Sequence, residues 1–250
     1  MPTWNEDARD WMLGFMERRE RREFREMAEL SSRWAEVTKS IRTRLDQLAA
    51  LEVKSENQLR EMEIYRQLLI DSRRQVSLFS QDAAQIIARE QAVSAKAGIQ
   101  ATETILRRYG AQFRQLPVQA VNNMIGRTMN GSPLYDLLIK DYPDTIERIT
   151  QQLVNSTARG INPRVTARLI KKDMDGNLMR ALRVARTEQI HVFREASQQA
   201  MIASGVVSGM ERIEQPDACP ECAEENGKVY PLGTLFETHP NCRGTWIPVV

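Results

Sequence analysis

Cys219 and Cys222, two residues apart, and His239 and Cys242, again two apart, form the pattern C-x2-C-x16-H-x2-C in a chain of 250 residues. A gap of two lets the side chains of one tight turn reach a common ion, and four such ligands close a tetrahedron around Zn²⁺. A closed site leaves no position for water, so it contributes folding free energy and does not activate a nucleophile. The pattern therefore points to a structural zinc knuckle with Cys219, Cys222, His239 and Cys242 as metal ligands and with no catalytic residue. Other chemistries stay open on the residues alone. The thiols are inert beside a surface histidine, or a Cys-x-x-Cys redox pair acts without the usual βαβ surroundings, or a Cys–His pair acts with only Asp217 to orient it. All three cysteines fall within the last 32 residues, and an odd number in a cluster argues against a disulfide framework and for a reducing compartment.

The elements that must position these ligands are read from breaks and periodicity. From Phe15 to Ala97 neither glycine nor proline occurs, and the composition favours one very long helix or two stacked ones. A heptad frame through Ile41, Leu45, Leu48, Glu52, Ser55, Leu59, Met62, Arg66, Leu69, Arg73, Val76, Ser80, Ala83 and Ile87 is apolar at nine of fourteen positions. Its polar members weaken a two-stranded coiled coil and leave packing against a partner or a folded-back helix equally open. Gly98 and Gly110 loosen the pattern, and Leu116-Pro117 ends it. Asn130-Gly131-Ser132-Pro133 and Tyr142-Pro143-Asp144 read as turns, and Asn162-Pro163 as a cap and first position of a further helix. Leu178 to Ser204, after Gly176-Asn177, reads as an amphipathic helix stopped by Gly205. Lys228 to Pro231 and Trp246 to Val249 look like short strands around the cysteines.

The expected fold is therefore mainly α: a long N-terminal helical or interrupted coiled-coil region over 1–116, a compact helical domain over 117–209, and a small C-terminal α+β zinc knuckle over 210–250. Charged residues make up 27% and mean hydropathy is −0.47, which favours helices with much solvated surface. The net charge of +2 excludes a global field that would draw the chain onto nucleic acid. The balance is local: 10 basic against 6 acidic residues over 117–185, and 5 against 9 over 186–250. The polar start offers no secretory leader, and no apolar run approaches the ~18 residues of a membrane span.

Arg186-Thr187-Glu188 on a helix, Asp217-x-Cys219-x-x-Cys222 followed by Gly227, and His239-Pro240-Asn241-Cys242-Arg243 together resemble the minor head proteins of tailed bacteriophages, the head morphogenesis family related to the Mu F protein. Gly131-Ser132-Pro133-Leu134 and Gly160-Ile161-Asn162-Pro163 look like that family's helical domain, so the resemblance spans roughly 117 to 248. The HPNCR string after Cys-x-x-Cys is its most specific part. The family commonly has a further cysteine where Gly244 stands, and many members a tryptophan where Met210 stands. The resemblance implies a non-enzymatic virion component, inside the head at the portal vertex and in the host cytoplasm during assembly, that assists head assembly and genome packaging or ejection. Its implied partners are the portal protein, the major capsid or scaffold protein, and packaged DNA by non-specific contact; no membrane is involved. Members can carry fused toxin domains, and none is expected after Val250.

Glu17 to Glu23 alternates charge at helical spacing and reads as a solvated face. Arg159, Arg164, Arg168, Lys171 and Lys172 crowd one helix and are candidate phosphate contacts, with a plain solvated face as the alternative. Arg186 and Glu188 read as a buried ion pair holding their helix against the knuckle. His191 reads as a packed residue. Two rival functions remain: a His-Asn-His-type nuclease using His239 and Asn241, against which a zinc-bound histidine cannot serve as base, and a coiled-coil adaptor carrying a zinc module.

Overall fold

A computed structural model of the chain describes all residues except 1–3, 52–57, 112, 114–115, 129–130, 140–141, 160 and 235–238. In chain order the elements are α1 (Trp4–Val37), α2 (Lys39–Ala49), α3 (Gln58–Arg108), α4 (Val118–Asn122), α5 (Leu134–Ile139), α6 (Tyr142–Arg159), α7 (Pro163–Ser204), β1 (Gly209–Ile213), α8 (Pro220–Ala223), β2 (Val229–Pro231) and β3 (Thr245–Val249). The protein is mainly helical, with one small antiparallel sheet near its C-terminus in the order β2-β1-β3. Met210 lies opposite Tyr230 on one side and Pro248 on the other. No helix among the described residues is long and apolar enough to cross a membrane.

The helix ends follow local chemistry, though not always where the breaks in the sequence suggest. Asn162 caps α7 by accepting the Arg164 amide at Oδ1, 2.9 Å away. Gly205 closes the same helix in the left-handed region, at φ 70°. Between those ends α7 runs unbroken through Gly176-Asn177, where a fresh start was expected. α3 stops at Gly110, also left-handed, where the Ala111 amide reaches back to the Leu106 carbonyl; Leu116-Pro117 lies beyond its end. Tyr142-Pro143-Asp144 opens α6 instead of forming a turn, as a proline in the first helical turn permits.

The heptad frame holds in α3 only at Val76, Ser80, Ala83 and Ile87, which are buried. One line of buried residues in α3 runs through Tyr65, Leu68, Ser72, Val76, Phe79, Ala83, Ile87, Glu90, Ser94, Gly98, Ala101 and Ile105, spaced three, four and four, with Ile64, Ser80, Ile86, Gln91, Ala95, Thr102 and Leu106 buried beside it. That is an eleven-residue repeat of 3.67 residues per turn, closer to a straight helix than the heptad's 3.5. Met62, Arg66 and Arg73 of the heptad are exposed. Glu52 and Ser55, and the side chain of Leu59, lie outside the described residues.

Two compact units are present, each discontinuous in sequence. The first comprises Met1–Glu26, Ile86–Pro133 and Arg183–Val250, the second Met27–Gln85 and Leu134–Leu182. The boundaries expected at 116 and 209 both fall inside the first unit, because α1, α3 and α7 each give one stretch to either unit. The first unit buries Met12, Met16, Ala101, Ile105, Ile190, Phe193, Ile213 and Ile247, so the sheet shares a core with three helices. Within it α3 and α7 approach closely: a Cβ on Gly98 would lie 2.3 Å from the Phe193 carbonyl oxygen. Gly98 thus permits a helix crossing instead of loosening a helix. Thr102 and Ser197 share a buried hydroxyl hydrogen bond of 2.7 Å beside it. In the second unit Trp34 meets Phe79 edge-on at 4.8 Å, and Arg33 and Arg44 pair with Asp82 and Asp71 at 2.7 and 2.6 Å.

Candidate metal centre

The knuckle is assembled from two turns. Cys219 is the extended residue before α8, with Pro220 at the first helical position, and the single turn of α8 brings Cys222 back beside it. The second turn holds His239 to Cys242, closed by the Cys242 amide on the His239 carbonyl at 3.2 Å. Asn241 takes φ 66° there, a left-handed conformation that asparagine tolerates better than other non-glycine residues. The Asn241 backbone amide donates to the Thr187 hydroxyl at 3.2 Å.

The turns bring together the four residues selected by spacing. His239 Nε2 lies 3.2 Å from Cys219 Sγ and 3.0 Å from Cys222 Sγ, and Cys222 Sγ lies 3.5 Å from Cys242 Sγ. Ligand atoms at the corners of a tetrahedral site with ordinary metal–sulfur and metal–nitrogen bonds stand about 3.5–3.8 Å apart. His239 Nδ1 donates to the Pro240 carbonyl at 2.8 Å, which leaves Nε2 as the lone-pair nitrogen facing the sulfurs, the usual arrangement of a ligating histidine. The potential ligands sort into two overlapping triads that share Cys222: Cys219, Cys222 and His239, and Glu214, Cys222 and Cys242. Donor types and tautomer fit a metal ion, and the His239 nitrogen and the sulfurs of Cys219 and Cys222 lie a few tenths of an ångström closer than the corners of such a tetrahedron.

The thiols differ in their surroundings. A hydrogen bond from the Cys222 backbone holds the Cys219 thiol below its ordinary range, with His239 acting in the same direction. Burial pushes the Cys222 thiol well up, and the adjacent Cys242 and Cys219 sulfurs add to the effect. Burial would raise Cys242 too, but the guanidiniums of Arg194 and Arg212 overcome it and its thiol is lowered. The Pro240 carbonyl is the main influence that raises the His239 imidazole.

Arg194 on α7 and Arg212 on β1, both buried, are residues of the site that spacing arguments miss. Their Nη2 atoms lie 3.1 and 3.2 Å from Cys242 Sγ. The available signal was an arginine within a run of α7 whose apolar residues Val192, Phe193 and Ala196 are all buried, and another in a strand buried at all five positions. Arg186 finds its carboxylate on another helix, Glu23 of α1, because residues two apart on a helix face different ways. Glu188 is buried. Arg243 pairs with Asp217 and with Glu20, tying the HPNCR string to the Cys-x-x-Cys approach and to α1. His191 is half-buried on α7 and stands 3.5 Å from Glu195. Arg159, Arg164, Arg168, Lys171 and Lys172 belong to the second unit and are exposed; Arg164 also donates to the Ala49 carbonyl.

No family model matches the sequence, and neither curated proteins nor solved structures show a significant similarity to the chain.

Proposed function

We propose that the protein is a non-enzymatic minor capsid protein of a tailed bacteriophage, attached to the portal vertex inside the head, whose C-terminal knuckle is held by a structural Zn²⁺. The observation that supports this reading is the meeting of its two motifs in space. Thr187 of the Arg-Thr-Glu triplet accepts the backbone amide of Asn241 in the HPNCR string, 54 residues away. Strings that resemble one family and also pack on each other behave as one structural device, in which the knuckle is seated on α7 beside the four metal ligands. Such a device stabilises a chain segment too small for its own core and supplies no open coordination position, which suits an assembly component better than an enzyme.

In the head the portal protein is the principal partner, and the major capsid or scaffold protein meets the chain during assembly. The exposed Arg159 of α6 and Arg164, Arg168, Lys171 and Lys172 of α7 provide phosphate contacts to packaged DNA, without base reading. Quantitative mass spectrometry of purified procapsids and virions tests the reading, together with co-sedimentation of the chain with the cognate portal ring. A few copies per particle and portal binding are expected. Absence from both particles with no portal affinity would overturn it.

A further inference from the structure

We infer that Arg194 and Arg212 are positioning residues of the metal centre, which aim the Cys242 sulfur at the ion and balance the charge of the thiolate cluster. The inference rests on the reading of Cys219, Cys222, His239 and Cys242 as ligands and adds two residues that no spacing rule selects.

Cys242 follows a left-handed residue in a segment without regular structure, so its own backbone does little to fix its side chain. Arg194 supplies what is missing from α7. Its Nε donates to the Gly244 carbonyl at 2.6 Å, and its Nη2 donates to the Cys242 carbonyl at 3.2 Å and to Cys242 Sγ at 3.1 Å. One rigid fork thereby grips the backbone on both sides of Arg243 and the sulfur at once. Arg212 approaches from β1 and donates to the same sulfur at 3.2 Å. It is held in turn by Glu214 Oε1 at 2.6 Å and by the Trp246 ring, whose centroid lies 4.9 Å from its guanidinium carbon. Gly244 leaves room for this arrangement: a Cβ there would stand 2.0 Å from Glu214 Oε1.

The charges close as well. A divalent ion with three thiolates and a neutral imidazole carries one negative charge, and Glu214 carries another. Two guanidiniums neutralise both within a buried site, where an uncompensated charge is costly. An arginine that served only to dock the knuckle would need no contact with the sulfur.

The test compares Zn²⁺ affinity, by competition with a chromophoric chelator, and the absorption of the Co²⁺-substituted full chain. The variants are Arg194→Gln, Arg212→Gln, Arg194→Lys and Thr187→Val. The glutamine variants are expected to bind Zn²⁺ about 10- to 100-fold more weakly, as for other residues that orient metal ligands. Their thiolate-to-Co²⁺ charge-transfer band should lose the contribution of one of three sulfurs. Arg194→Lys keeps the charge and loses the fork, so it should recover part of the affinity, and it carries the test if a glutamine variant fails to fold. Thr187→Val removes another contact of the knuckle with α7 without touching a sulfur. An equal loss of affinity in Thr187→Val would make the arginines mere docking residues and overturn the inference. So would wild-type affinity and spectrum in the glutamine variants. A wild-type chain that binds neither ion refutes the metal centre itself, a result distinct from both.

Discussion

The hydroxyl of Thr187 on α7 accepts the backbone amide of Asn241, which stands at φ 66° in the turn between His239 and Cys242. One helix side chain thus meets the turn that runs from His239 to Cys242. Thr187→Val should cost about 0.5–1.5 kcal/mol, the net value of such a bond. Asn241→Gly should be tolerated, whereas Asn241→Val should cost about 1–2 kcal/mol from left-handed strain. Urea denaturation of the metal-loaded chain checks the order. Equal stability of the glycine and valine variants would show that the turn does not impose that conformation.

Removal of the ion should unfold the knuckle first. Elemental analysis is expected to find one zinc per chain, lost in Cys222→Ser and in Cys242→Ser. A chelator should expose the Trp246 ring, which is buried against Leu106, Met201 and Met210, to quenchers of its fluorescence. A chelator that leaves both the fluorescence and the melting temperature unchanged would argue against a structural ion.

Gly98 sits where α3 crosses α7, and an added methyl must displace backbone at Phe193. Gly98→Ala, which by helix propensity alone should stabilise, is instead expected to destabilise by about 1–3 kcal/mol. Thermal melting decides the sign, and a rise would show that the crossing is looser than 2.3 Å implies.

Glu26 on α1 is buried, and its carboxyl is pushed up to about 8 from an ordinary 4.5. Burial is the main cause; Glu90 and Glu23 add to it, while the Gln189 amide and Arg89 act against it. Between those values the folded chain keeps a proton that the unfolded chain has released. Stability contributed by this group is therefore complete below about 4.5, falls as pH rises and levels off above about 8, a change on the order of 5 kcal/mol. Glu26→Gln should flatten that decline in denaturation curves taken from pH 5 to 8. An unchanged slope would assign the dependence to another group.

The clustering of Cys219, Cys222, His239 and Cys242 and both ends of α7 were legible in the sequence because each depends on local rules: spacing across a turn, a capping asparagine before proline, a left-handed glycine. Two of the three strands were legible for the same reason. β1 was not, since all five of its residues are buried and no alternation marks it. The eleven-residue repeat of α3 was hidden because Ser72, Glu90 and Ser94 occupy buried positions, and only neighbouring helices make polar residues acceptable there. Arg186 illustrates the limit most directly: its charge promises a partner, but helix geometry turns it from Glu188 toward Glu23, 163 residues away. The same holds for Arg194 and Arg212. Sequence by itself determined which atoms can bind a metal, because two-residue gaps act over one turn of chain. Tertiary structure alone decided which buried cations face the Cys242 sulfur, because charges drawn from α7 and β1 meet only when a helix and a sheet close around one core.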